Sequence, residues 1–513
     1  MSQKFFISTP IYYPSGKPHI GHAYSTIIAD VLAKYKKLFG YETFFVTGVD
    51  EHGQKIQTKA KEANMSEQAY VDLMQQSFVD LWTRLQIDYD CFIRTTNKNH
   101  VQSVQKIFSQ LYKQNKIYLD EWVGNYCVSC EENINDADVV INSDNQKTCH
   151  FGHLLEQKKE ASYFYKMKES TQFLMDYYAQ HPDFIVPKER VNELINNFLQ
   201  DLNDLSISRT TFNWGVPILE NPEHVIYVWL DALMNYVTAT GYLTNDDHLF
   251  QKFWNDDKTE VVHLLSKEIT RFHCIYWPIF LHDLGIRLPS KILSHGWIIT
   301  KEGKMSKSLG NVVDPHDLID RFGADVTRYY LLADLSMYKD SVFSYDNLIE
   351  TYNTHLANNF GNMVSRTLGM LKKYNSNIIR PVTLPKDLTD QLDQFIKQFI
   401  DQINLYQIDK ALMVLQNLLD FANKYIEEKK PWELFKNDDI AALDELLYFL
   451  TKVVHICTIL YQPILQTSTQ TVAQQMNFTP EMLTFKKLRD YHLFNNHEVG
   501  TASPIFQRIV IEK

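Results

Sequence analysis

The sequence predicts an α/β protein in which a doubly wound parallel sheet is split by an insertion and followed by an α-helical bundle. Three observations carry this expectation. Short apolar runs alternate with helically patterned segments up to about residue 115, which is the rhythm of strand–helix–strand units. The same rhythm returns at Val225–Tyr236 and Val261–Leu265 after an interruption. Beyond about residue 346 the strand signals vanish and only 3.6-residue periodicity is left. The expected divisions are 1–115 and 216–285 for the two halves of the sheet, 116–215 for the insertion, 286–345 for a connecting region and 346–513 for the bundle.

The first strand signal is Phe5–Ser8, and a proline-punctuated loop leads from it to His19-Ile20-Gly21-His22. Tyr24–Lys36 then has helical spacing. A strand, loop and helix N-terminus in this order form a place to hold phosphate, because backbone N–H groups and the positive end of the helix dipole converge there. Gly21 lets phosphate approach the backbone, and the His19 and His22 imidazoles can donate hydrogen bonds to it. Glu42–Val49 reads as the next strand and runs into Asp50-Glu51-His52-Gly53. Far along the chain, Gly303 precedes Lys304-Met305-Ser306-Lys307-Ser308, a short loop with two ammonium groups that can close over a triphosphate. Asn311–Pro315 and a helix around Arg328-Tyr329-Tyr330 follow. Helices are expected over Asp346–Leu371, Asp387–Tyr406, Asp409–Glu428 and Asp438–Tyr461, whose apolar stripes suit an antiparallel bundle.

Composition narrows the partners. No apolar run is long enough to span a bilayer and no secretory leader is evident, so a cytosolic, membrane-free protein is expected. A net charge of −11 argues against non-specific nucleic-acid binding, so any RNA contact must use local patches and shape. Three of the six cysteines fall in one short segment, which points to metal and not to disulfides. Cys127-Val128-Ser129-Cys130 is a CxxC knuckle, and Cys149 follows at a distance that suits a second half-site for a structural Zn²⁺. His150 is adjacent to Cys149, which makes joint tetrahedral ligation awkward. His153 lies beyond Gly152, where the chain can turn back. The expected ligands are Cys127, Cys130, Cys149 and His153.

The His19–His22 and Lys304–Ser308 strings, in this order, resemble the HIGH and KMSKS signatures of class I aminoacyl-tRNA synthetases. Over nearly the whole chain the resemblance sharpens to the methionyl-tRNA synthetase family, through Thr9–His22, Gly48–Gly53, Tyr227–Leu233, Lys267–His273 and Ser294–Trp297. It implies a Rossmann-like catalytic domain that uses ATP with Mg²⁺, L-methionine and tRNA(Met) to make methionyl-adenylate and then methionyl-tRNA. Carried over by position, the implied catalytic groups are His19, His22, Lys304 and Lys307. The implied methionine pocket is Ile11, Tyr13, Asp50, Trp229, Ala232, Leu233, Tyr236, Ile269 and His273. Asp50 is expected to hold the substrate ammonium, and Tyr236 and His273 to offer hydrogen bonds to the thioether sulfur. His19, Gly21, His22, Glu268, His295, Gly296, Trp297 and Lys307 are the implied ATP contacts, with Glu268 at the ribose.

In the helical part, Asn362-Met363-Val364-Ser365-Arg366 and Lys430-Pro431-Trp432 resemble the family's anticodon-reading elements, with Asn362, Arg366, Pro431 and Trp432 as contacts. A tryptophan directly after a helix-starting proline can offer its face to an unstacked base. No barrel-like domain follows the bundle, so a monomer is expected. Another class I synthetase and a non-catalytic relative are weighed against this reading, and of the former a cysteinyl enzyme, of similar length, would use a metal thiolate site to read its substrate. Leucyl, isoleucyl and valyl enzymes carry an editing insertion larger than residues 116–215 can supply. A non-catalytic RNA-binding relative would have no use for the histidine and lysine pairs.

Overall fold

The structure, a computed structural model, describes residues 3–129, 132–134, 136–301, 303–304 and 313–510. The chain forms two compact units. One comprises Met1–Ala33, Glu42–Thr83 and Ile87–His295; the other comprises Lys34–Tyr41, Arg84–Gln86 and Gly296–Lys513.

In chain order the elements that build the first unit are β1 (Lys4–Tyr12), α1 (Ile20–Leu38), β2 (Glu42–Val49), β3 (Cys91–Arg94), α2 (Lys98–Lys113), β4 (Ile117–Cys127), β5 (Glu156–Tyr165), β6 (Ile185–Val186), α3 (Val228–Leu233), β7 (Thr259–Ser266) and β8 (Lys291–His295). Six of them form one parallel sheet in the order β3-β2-β1-β7-β8-β6. Central β1 is buried along almost its whole length, because a parallel strand covered on both faces needs an unbroken apolar run and not alternation. Its Phe6 pairs with Phe44 on one side and Val261 on the other. Gly48 admits β3: a Cβ there would lie 2.0 Å from the Ile93 carbonyl oxygen.

Sheet membership runs past the expected divisions at two places. β8 lies beyond residue 285, and the edge strand β6 comes from within 116–215. The same segment also forms a separate antiparallel sheet in which β4 and β5 pair from Ile117–Tyr165 to Tyr126–Glu156, with 132–134 and 205–206 on its edges, and helices at Thr171–Gln180 and Glu189–Leu194. The cysteine-bearing turn sits at the far end of this ladder.

The second unit is mainly helical. Its principal helices are α4 (Asn362–Asn375), α5 (Lys386–Asn404), α6 (Ile408–Lys429), α7 (Pro431–Lys436) and α8 (Ile440–Tyr461). α5 buries Leu388, Leu392, Ile396, Phe399 and Ile403, a single stripe. α8 is buried from Leu446 to Tyr461 and is the central rod. The expected helix over Asp346–Leu371 is interrupted by a wide π-type stretch at Tyr352–Gly361, and α7 is too short for periodicity to have marked it. One strand pair, Ile378–Ile379 with His497–Glu498, lies where strand signals are absent from the sequence, because two residues cannot show alternation.

Candidate active site

The residues singled out in the first unit gather at the carboxyl edge of the parallel sheet. His19 and His22 follow β1, Asp50 follows β2, Glu268 follows β7, and His295 ends β8. Doubly wound sheets bind their ligands on this edge, since every strand there hands over to a loop or a helix N-terminus.

At the end of β1 the two histidines cap α1 reciprocally. His19 is the N-cap: its carbonyl accepts from the His22 and Ala23 N–H groups, and its Nδ1 accepts from the Gly21 N–H at 3.1 Å. His22, three positions on, returns the bond, its Nδ1 accepting from the His19 N–H at 3.0 Å. This is a capping box built from imidazoles, with ring centroids 3.9 Å apart. Because both Nδ1 atoms accept, each neutral ring carries its proton on Nε2. Gly21 serves the rings as well as any ligand, since a Cβ there would meet His19 Cε1 at 3.0 Å.

Ile11, Trp229, Leu233, Tyr236 and Ile269 belong to one core, and Ala232 joins a smaller cluster that Ile11 also touches. Tyr13 packs elsewhere, with Ile56, Tyr70 and Trp214. Asp50 is buried at the end of β2, where its N–H donates to the Tyr12 carbonyl. The Trp229 indole lies flat on Phe272, with centroids 3.4 Å apart and planes at 12°; sequence reasoning did not single out Phe272. Phe272 and His273 lie on a π-type turn, Phe272–Tyr276, whose width re-aims side chains in a way no local sequence signal marks.

His273 Nδ1 donates to the Ile269 carbonyl at 3.0 Å, so Nε2 accepts the Tyr236 hydroxyl proton at 2.6 Å. Both protons expected to reach the thioether are thus directed within the protein. What this leaves for sulfur is the polarizable surface of the surrounding rings. Burial pushes the His273 imidazole down to about 4. Behind Tyr236, His263 accepts from Trp277 Nε1 and donates to Ser8 Oγ, and burial, then the neighbouring His273, holds it well below the ordinary histidine range.

Glu268 is exposed on a 3₁₀ turn just past β7. His295 is buried, with Nε2 at 2.7 Å from Ser25 Oγ in the first turns of α1. Gly296, Trp297 and Lys304 belong to the second unit. There the Gly296 N–H donates to the Met337 carbonyl, the Trp297 N–H donates to Asp340, and the Lys304 backbone pairs with Ile299. Lys307 lies outside the described residues.

In the bundle, Asn362 opens α4 and Arg366 lies one turn on, so both share a face. The Arg366 guanidinium donates to Asn423 at 3.0 Å and to Glu427 at 2.9 Å, both on α6. Lys430, with φ of 50°, ends α6 and turns the chain into Pro431, the first residue of α7. Trp432 is 47% exposed there and Phe435 48%, with the Phe435 ring 5.0 Å from Tyr374.

In the insert, Cys127, Cys149 and His153 place their ligand atoms within 4.8 Å of one another. Both cysteines are buried, His153 is exposed, and Cys149 Sγ lies 3.6 Å from His153 Nδ1. The turn closes through Gly152, at φ of 80°. These separations suit a tetrahedral ion of zinc's size with thiolate and imidazole donors. Cys130 lies outside the described residues.

A doubly wound sheet with a histidine pair capping the helix after β1, an antiparallel insertion and a helical bundle is the architecture of a class I aminoacyl-tRNA synthetase. The model of tRNA synthetases class I (M) matches residues 5–368, and that of the anticodon binding domain of methionyl tRNA ligase matches 381–511. The chain belongs to the methionyl-tRNA synthetase family. It is 61% identical to the methionine–tRNA ligase of Ureaplasma parvum serovar 3, covering 100% of this chain and 99% of that one. To the Listeria monocytogenes serotype 4b methionine–tRNA ligase it is 44% identical, over 99% of this chain and 78% of the relative. Among solved structures, Mycobacterium tuberculosis methionyl-tRNA synthetase in complex with methionyl-adenylate superposes with a TM-score of 0.93 at 33% identity, covering 99% of this chain and 100% of that one. The free-state form of the same enzyme gives 0.88 at 30% identity, covering 100% and 99%.

Proposed function

We propose that the carboxyl edge of the first unit is the site at which this ATP-dependent methionine–tRNA ligase activates methionine, with His19 and His22 as hydrogen-bond donors to the ATP phosphates. The chain activates methionine with ATP as methionyl-adenylate and transfers the methionyl group to tRNA(Met). The observation that carries the residue assignment is the reciprocal capping of α1, which commits both Nδ1 atoms to the backbone and puts a proton on each Nε2. In the first step the methionine carboxylate attacks the α-phosphorus and pyrophosphate leaves. Little covalent help is needed; positioning and positive charge are. The two Nε2–H groups and the ammonium groups of Lys304 and Lys307 supply donors and charge, and the Mg²⁺ that accompanies ATP adds to them. Asp50 holds the substrate ammonium between β2 and the pocket wall of Trp229, Ala232 and Leu233. In the second step the 2′-hydroxyl of the terminal adenosine attacks the activated carbonyl and AMP leaves.

ATP–pyrophosphate exchange across the amino acids tests the pocket: only methionine is expected to support it, and equal exchange with cysteine or leucine would overturn the assignment. In the same assay Trp432→Ala should behave as wild type, while its tRNA charging weakens by the ~1–3 kcal/mol that stacking of one base contributes. Equal damage to both steps would make Trp432 a packing residue. The protein is proposed to act as a cytosolic monomer, a state that light scattering at micromolar concentration checks.

Cys127, Cys149 and His153, with Cys130, hold a structural zinc in this reading. Bound there, the ion would cross-link the end of the β4–β5 ladder without an open coordination position for substrate. Protein purified without chelator is expected to carry about one zinc per chain. His153→Ala should lower that content more than His150→Ala does, and metal-free wild-type protein would end the proposal.

A further inference from the structure

We propose that Asp231 is a positioning residue for methionine binding: its buried carboxylate gathers His52 and His100 and so fixes the loop bearing Asp50 against the helix bearing Trp229, Ala232 and Leu233. The inference rests on the pocket assignment above. Asp231 is fully buried in α3, His100 is buried on α2, and His52 sits in the loop after β2. His52 Nδ1 donates to one carboxylate oxygen at 2.6 Å, and His100 Nε2 to the other at 2.8 Å. His100 Nδ1 is 2.7 Å from Thr238 Oγ1, which ties α2 to the short helix Asn235–Thr238 that follows α3. Burial raises the Asp231 pKa, but the charges and hydrogen bonds of His52 and His100 outweigh it and bring it down to about 2.

The loop is held from its other sides too. The Asp50 N–H donates to the Tyr12 carbonyl and the Gly53 N–H to the Trp214 carbonyl. Trp214 Nε1 donates to the Glu51 carbonyl at 2.6 Å, and its ring packs on His52. Asp50 is therefore two residues from one end of the Asp231 knot, and Ala232 is one residue from the other. A buried polar cluster is weak evidence for stability, but here both carboxylate oxygens have a ring N–H partner, which sets their geometry. The distance fixed here is that between the ammonium site and the side-chain wall, where displacement of about 1 Å is costly.

In Asp231→Asn one terminal atom becomes a donor facing a ring N–H, so one bond is lost. The methionine KM is expected to rise about tenfold or more, while kcat and the ATP KM stay within about threefold, with active molecules counted by their adenylate burst. His100→Leu should act likewise. His100→Gln should restore most of the affinity, because its amide nitrogen reaches the position of Nε2 and can donate to Asp231. An unchanged methionine KM in the burst-active fraction of Asp231→Asn overturns the proposal, as does equal impairment in His100→Gln and His100→Leu. Trp229→Ala provides the control. If it raises the methionine KM while Asp231→Asn does not, only the positioning role fails. If it leaves that KM unchanged, the pocket assignment fails and this proposal with it.

Discussion

His19→Asn is expected to slow adenylate formation by on the order of a hundredfold or more while leaving the fold intact. Asparagine is among the best N-cap residues, so its side chain can take over the bond from the Gly21 N–H that His19 Nδ1 now accepts. Stability should therefore stay within about 1 kcal/mol of wild type. What asparagine cannot supply is a donor at the position of Nε2, and a donor aimed at developing phosphate charge acts mainly in the transition state. The loss should fall on the turnover of pyrophosphate exchange far more than on the methionine KM. Exchange kinetics with a melting curve on the same preparation decide the matter. Turnover within about threefold of wild type would confine His19 to capping, and a large fall in melting temperature would show that the cap itself needs the imidazole.

The second large effect is on stability at mildly acid pH. His273 and His455 are buried neutral imidazoles with pKa values brought down to about 4 and about 3, in each case chiefly by burial, and His263 is also held well below the ordinary value. In the unfolded chain the same rings take up protons near 6.5. The unfolded state therefore binds more protons below that pH, and stability falls as pH drops from about 6.5 towards 4. His273 and His455 each cost about 2 kcal/mol at pH 5 relative to neutrality, from roughly 1.5 units at 1.36 kcal/mol each, and His263 acts in the same direction. Asp231 does not contribute in this window, since the stability from its lowered pKa is lost only as pH falls from about 4 through 2. Denaturant unfolding at pH 7.5 and pH 5 should show the difference, and His273→Gln should shrink it by about 2 kcal/mol for the transition of the first unit. Equal stability at the two pH values would refute the assignment of neutral buried rings.

What the sequence determined by itself is whatever is local. The strand–loop–helix context of His19-Ile20-Gly21-His22 is legible because N-cap to N3 are four consecutive positions, and the structure builds its capping box from those same residues. The bundle is legible because α5, α6 and α8 each run for five turns or more, long enough for 3.6-residue periodicity to show. Ordering along the chain could also fix which strand ends face one edge, since parallel strands joined by crossovers all finish on the same side.

Tertiary structure alone decided what depends on contacts between distant residues. His52 and His100 meet Asp231 across 179 and 131 positions, and nothing around any of the three marks the meeting. Tyr236 and His273 were readable as neighbours of one pocket, but only three-dimensional geometry shows the hydroxyl proton committed to Nε2 and the Nδ1 proton to Ile269. β6 escaped detection for the same reason. Two residues carry no period, and their place at the edge of the parallel sheet comes from pairing with Leu293 and Ile292, more than a hundred positions away. Local patterns specify elements because their physics is short-range. A buried polar network is specified by which elements desolvate the same space, and that is a property of the packed chain.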